Sequence, residues 1–174
     1  MSWEPTVTSA AIRLGVSADV PRLAEVSRAA FTLFGRAGLE LPADDPEAEF
    51  AGGGRTLVAE LPGGDGEPLV VGFAWLVELD GDAHLAEISV HPDHGRQGVG
   101  SALLEAACAD AAERGLGAMT LTTFRDLPFN GPWYTRMGFA ELPREQWGVE
   151  LAAQWRAEES LLVAPRVVMR RGLR

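Results

Sequence analysis

Apolar residues alternate with polar ones, or run together, in short bursts, and these bursts are separated by glycine, proline and aspartate. Residues 10–14 (Ala-Ala-Ile-Arg-Leu) have the length and half-apolar pattern of a strand. From Ser17 the period changes. Val20, Leu23, Ala24, Val26 and Phe31 recur at helical spacing, with Ser17 or Asp19 as cap and Pro21 in the first turn. This helix is expected to run to about Phe34 and to be broken by Gly35 and Gly38. Residues 39–50 read as loop or short helix, with Asp45-Pro46 a second cap. Residues 56–61 and 69–79 read as two strands joined by the turn Pro62-Gly63-Gly64-Asp65-Gly66-Glu67-Pro68, a hairpin. Asp80-Gly81-Asp82 turns the chain into a further strand at 85–91.

The next helix, 97–114, carries its stripe at Val99, Leu103, Leu104, Ala107, Cys108 and Ala111, and Gly115 and Gly117 end it. A strand at 118–124 follows, so strand, crossover helix and strand form a parallel unit. Pro132 starts a short helix that Gly138 ends. Residues 143–159 are mostly helix-forming and hold Trp147 and Trp155. They would cover an active site, form an interface such as that of a homodimer, or pack against their own sheet, and the last is preferred. Val167-Val168-Met169 closes the sheet. No repeat, low-complexity linker or second domain is evident, and residues 1–174 are expected to form one α/β domain.

Composition narrows the function. The net charge of −10 argues against nucleic acid, which needs a basic face. An acidic body suits a cationic acceptor such as an amine, although solubility explains it as well. One cysteine, Cys108, excludes a disulfide within the chain, and its place in an apolar stripe reads as core. Residues 1–5 resemble no secretory signal and no apolar run would span a bilayer, so the cytoplasm is the expected compartment and no membrane partner is expected. Three scattered histidines give no metal site.

The chemistry is concentrated in residues 85–104. Pro92 stops the strand near His91, and Gly95, Gly98 and Gly100 then lead into the helix. Free amide N–H groups at a helix start, with Arg96 beside them, make a phosphate or pyrophosphate site. A P-loop reading fails because no Lys follows the glycines, and a dinucleotide reading is weak because Leu103 stands where the third Gly belongs. The stretch resembles the acetyl-CoA loop of the GNAT acetyltransferases, Gln/Arg-x-x-Gly-x-Gly/Ala after Val-x-Pro and before Leu-Leu. Val90-His91-Pro92, Gly98, Gly100 and Leu103-Leu104 match. The leading slot holds Gly95, with Arg96 one place later. Asn130 and the later run Tyr134-x-x-x-Gly138-Phe139 resemble the same family's second cofactor wall.

The resemblance implies a mixed, mostly antiparallel sheet flanked by helices. It further implies acetyl-CoA as cofactor, and transfer of acetyl to a small-molecule or peptide primary amine by direct attack. Cofactor contacts would come from Ser89, Val90, Arg96, Gln97, Gly98, Val99, Gly100, Ser101 and Asn130, with a strand splay admitting the pantetheine arm. A backbone N–H of Ser89 or Val90 would polarise the thioester carbonyl. Tyr134 aligns with the residue that protonates the leaving thiolate. Glu87 is the candidate base, with a solvated or cross-strand-paired carboxylate an equal reading. His84 and His91 titrate in a useful range but are read as structural, His91 as a turn cap. Phe34, Glu40 and Glu49 border the implied acceptor site; a packed Phe and two solvated carboxylates is the plainer reading. The competitors are a non-catalytic acyl-CoA-binding or regulatory domain, and a Rossmann-type nucleotide module.

Overall fold

The computed structural model describes residues 9–174. In chain order the elements are β1 (Ala11–Leu14), α1 (Val20–Arg36), α2 (Pro46–Ala51), β2 (Arg55–Pro62), β3 (Pro68–Leu79), β4 (Asp82–Val90), α3 (Val99–Glu113) and β5 (Ala118–Phe124). Then come α4 (Gly131–Arg136), β6 (Ala140–Glu141), α5 (Val149–Ala157) and β7 (Arg166–Gly172). The strands hydrogen-bond in the order β1-β2-β3-β4-β5-β7-β6, a mixed sheet of seven. β1 pairs antiparallel with β2, and β7 antiparallel with both β5 and β6. β4 and β5 are parallel, registered at Ala83–Met119 and His84–Thr120. This is the mixed, mostly antiparallel α/β architecture that the resemblance implies.

The chain forms two compact units. The first comprises residues up to Leu33, Asp45–Trp75 and Glu87–Ala107. Its core is Leu23 and Val26 of α1 against Val58, Val70 and Phe73, with Phe50 and Trp75 packed on the rim. Burying a side chain such as Leu23 or Val26 stabilises by roughly 1.5–3 kcal/mol each, which makes α1 the anchor of this unit. Its start is pinned by Arg13, whose guanidinium bonds both Asp19 (2.8 Å) and Glu60 (2.9 Å). The Arg13 contact holds the Asp19 carboxyl below its ordinary range.

α1 runs through Gly35 and stops at Arg36, two residues past the expected end. A single glycine weakens a helix without breaking it. The stop is Gly38, at φ +84°, with the amide of Leu39 bonded to the carbonyl of Phe34 and that of Gly38 to Gly35. This double bond is the Schellman cap. α3 ends the same way at Gly115, with Leu116 N–H on Ala111 and Gly115 N–H on Ala112.

The second unit comprises Phe34–Asp44, Leu76–Ala86 and Cys108–Arg174. Its β3–β4 turn has positive φ at both Asp80 and Gly81, as a two-residue type I′ hairpin requires. The Asp80 carboxylate then accepts from the N–H groups of Glu150 (3.0 Å) and Leu151 (2.8 Å). It therefore caps the first turn of α5 from 70 residues away, and Glu150 returns a bond to the Asp80 N–H. This tie, with the buried Leu151, packs the 143–159 segment on the unit's own sheet turn, as preferred from the sequence. Cys108 is buried with its Sγ 3.9 Å from Met119 Sδ, a core position.

Candidate functional site

The glycine loop lies in the first unit. β4 ends at Val90, and the amide of His91 bonds the carbonyl of Val71. Pro92 then begins a single 3₁₀ turn, Pro92–His94. His91 Nδ1 accepts from the Asp93 amide at 3.2 Å, so His91 is a turn cap. Arg96 and Gly98 both take positive φ, +58° and +79°. α3 starts at Val99, and its first intrahelical bond runs from Ala102 N–H to Gly98 C=O, 3.0 Å. The N–H groups of Val99, Gly100 and Ser101 therefore precede the ladder and carry the positive end of the helix dipole. Arg96 and Gln97 are exposed beside them.

Glu87 sits on β4 of the same unit. Its Oε1 accepts two hydroxyls at 2.7 Å each, from Ser89 on β4 and from Ser27 on α1. Ser89 and Ser27 are both buried. Glu87, half-buried, is thus a carboxylate that two hydroxyl donors bracket. Ser27 is absent from the sequence reading. Its one signal is position, four residues after Leu23 on the buried face of α1, where an apolar residue is expected.

Asn130 and Tyr134 lie in the second unit, one turn apart, with Tyr134 N–H on Asn130 C=O at 2.9 Å. The spacing Tyr-x-x-x-Gly-Phe has a structural cause. Gly138 is at φ +89°, Phe139 N–H bonds Tyr134 C=O (3.0 Å), and Gly138 N–H bonds Thr135 C=O (3.1 Å). Tyr134 and Phe139 are the two residues that a Schellman cap brings into apolar contact, and their ring centroids are 5.7 Å apart. The Tyr134 ring is buried between Phe139 and Trp133, the latter at 4.9 Å. At the start of the helix, a Cβ on Gly131 would lie 2.3 Å from the carbonyl oxygen of Arg125, so only glycine lets the chain turn there. Asn130 donates to Phe129 C=O at 3.3 Å, while its Oδ1 is buried without a partner among the described residues.

Elsewhere in this unit Phe34 packs against Phe124 and Phe129, each at 5.6 Å, and Arg166 stacks on Phe124 at 4.8 Å. Thr122 donates to the Glu158 carboxylate (2.8 Å), whose pKa burial pushes up. Phe34 is therefore a packed ring, while Glu40 and Glu49 are exposed. His84 is not the near-neutral titrator that its type suggests. It is buried, bonded through Nδ1 to Thr120 Oγ1 at 2.9 Å, and burial lowers its pKa to about 4.

Comparison with known proteins agrees with this geometry. Among solved structures, the N-acetylglutamate synthase of Neisseria gonorrhoeae, complexed with coenzyme A and N-acetyl-glutamate, superposes at TM-score 0.72 and 19% identity. The match covers 97% of this chain but 36% of the synthase, so the chain spans about a third of that protein. The ribosomal-protein-S18-alanine N-acetyltransferase of Escherichia coli gives 0.67 and 20%, over 94% of both chains. The PaiA N-acetyltransferase of Thermoplasma acidophilum, in complex with coenzyme A, gives 0.65 and 16%, over 95% of this chain and 99% of that one. At such identities the likeness is one of fold. A family model adds the sequence: that of the acetyltransferase (GNAT) family matches residues 22–139. The match takes in Ser27, Glu87, the glycine loop, Asn130 and Tyr134 and covers more than half of the sequence; the chain belongs to the GNAT acetyltransferase family.

Proposed function

We propose that this protein is an N-acetyltransferase that moves acetyl from acetyl-CoA to a primary amine by direct attack, with the whole chain acting as one catalytic domain in the cytoplasm. The observation that carries the reading is the glycine loop, where free amides at the start of α3 follow a loop with two positive-φ residues. The residues fit coenzyme A. The Val99, Gly100 and Ser101 amides suit a pyrophosphate, and the orphaned Asn130 Oδ1 suits a pantetheine amide donor.

Acetyl-CoA supplies an acyl group already activated as a thioester. The N–H group of Ser89 or Val90 is assigned to polarise the carbonyl, where negative charge grows in the transition state. Glu87 accepts a proton from the amine, whose ordinary pKa near 10 leaves it mostly protonated at neutral pH. Tyr134 donates its phenolic proton to the departing thiolate. Nothing in this scheme requires a covalent intermediate on the protein. Coenzyme A complexes of the Neisseria and Thermoplasma proteins support the cofactor, and the two N-acetyltransferases support an amine acceptor.

Thiol release from acetyl-CoA against a panel of small amines and peptide N-termini tests the reading. Turnover with one amine class is expected. Coenzyme A binding without turnover on any amine would favour the regulatory alternative, and no binding would overturn the assignment of the loop. Arg96 gives a separate check. Glycine adopts φ +58° freely, so Arg96→Gly keeps the loop and deletes one exposed charge. Affinity for coenzyme A is expected to fall about threefold at low salt and less at high salt, as titration calorimetry at two ionic strengths would measure.

A further inference from the structure

We infer that Ser27 is a positioning residue for Glu87, an inference that rests on the base assigned above. A serine on the buried face of α1, only 4% exposed, is costly unless its hydroxyl is bonded. Its Oγ–H donates to Glu87 Oε1 at 2.7 Å, and the Ser89 hydroxyl donates to the same oxygen at the same distance. The two donors do different work. Ser89 is two residues from Glu87 on the same strand and moves with it, so it fixes the carboxylate only locally. Ser27 is 60 residues away and belongs to the helix that anchors the unit's core through Leu23 and Val26. Its bond therefore ties the carboxylate to the rigid frame of the unit.

A glutamate side chain has three rotatable bonds and roughly 1.5–2 kcal/mol of rotamer entropy to lose. A proton acceptor must be held close to its productive position, because a misplacement of about 1 Å can cost on the order of a hundredfold in rate. Ser27 supplies that restraint without touching substrate or cofactor. Both hydroxyls load Oε1 and so hold the carboxylate that is assigned to take the amine proton, which frees the nitrogen lone pair to attack the acyl carbon.

A double-mutant cycle in the full chain tests the inference. Ser27→Ala, Glu87→Gln and the double variant are compared for kcat, for KM of acetyl-CoA and of the best amine, and for melting temperature. Glu87→Gln is expected to lower kcat about a hundredfold. Ser27→Ala is expected to lower it about tenfold with KM for acetyl-CoA unchanged, and Ser27→Thr, which keeps a hydroxyl, to recover most of the loss. In the Glu87→Gln background, Ser27→Ala should change kcat less than about twofold, since no base is left to position. An equal loss in both backgrounds would overturn the inference, because Ser27 would then act on something other than Glu87. So would full activity of Ser27→Ala beside an impaired Glu87→Gln, which leaves the base standing. Full activity of Glu87→Gln removes the base itself and the inference with it. Should Ser27→Ala melt too low to assay, Ser27→Cys keeps the volume with a weaker donor, and an unchanged kcat there counts equally against the inference.

Discussion

Tyr134→Phe is expected to lower kcat by about 10²–10⁴-fold, the range for loss of one general acid, while leaving coenzyme A affinity close to wild type. The expectation follows from what holds the ring. Its backbone carbonyl is fixed by Phe139 N–H in the cap of α4, and its faces meet Phe139 at 5.7 Å and Trp133 at 4.9 Å. None of these contacts uses the phenolic oxygen, so a phenylalanine keeps them and the helix end keeps its shape. What is lost is the one proton donor assigned to the leaving thiolate. A thioester whose thiol is a stronger acid needs that proton less, so the gap between variant and wild type should narrow on such a substrate. Steady-state thiol release with two thioesters measures both effects. An unchanged kcat on acetyl-CoA would remove Tyr134 from the mechanism and leave Tyr-x-x-x-Gly-Phe as a helix cap alone.

That cap illustrates what a sequence can and cannot disclose. The motif at 134–139 is legible because its logic is local: one left-handed glycine, one carbonyl acceptor and one ring pair, all within six residues. The same holds for the glycine loop, for the stripe of α3, and for the Asp45-Pro46 start of α2, where Asp45 accepts from the Ala48 amide. What stays hidden depends on partners far apart in the chain. Asp80 reads as a turn residue, yet its carboxylate caps α5 across 70 positions. Ser27 goes unremarked on the apolar face of its helix, yet it bonds Glu87 across 60 positions. His84 reads as structural, yet neither its burial nor its bond to Thr120, 36 positions away, can be read from the sequence. Hydrophobic periodicity places each of these residues on an element and a face, but it carries no term for the hydrogen bond that the face will make.

His84 also sets a limit on acid stability. Its pKa is about 4 in the folded protein, because burial penalises the imidazolium, against an ordinary 6.5. Between those values the unfolded chain binds a proton that the folded chain does not, so stability falls as pH falls. The loss begins near pH 6.5 and is complete below pH 4. Its size is about 3 kcal/mol, a large share of a typical domain's stability. Glu158 works in the opposite sense, since burial raises its pKa and its protonation on acidification favours the fold. The whole-protein profile is therefore a sum, and a variant is needed to isolate the histidine. His84→Gln keeps a polar side chain beside Thr120 but cannot be protonated. Urea unfolding at pH 7 and pH 4.5 should show wild type losing about 2 kcal/mol more than His84→Gln over that interval. Equal losses would mean that His84 takes its proton without leaving the fold. The same measurement bears on the sheet, because His84 and Thr120 are one of the two registered pairs joining β4 to β5. Charging that imidazole disturbs the parallel ladder at the start of the strand that carries Glu87 and leads into the glycine loop.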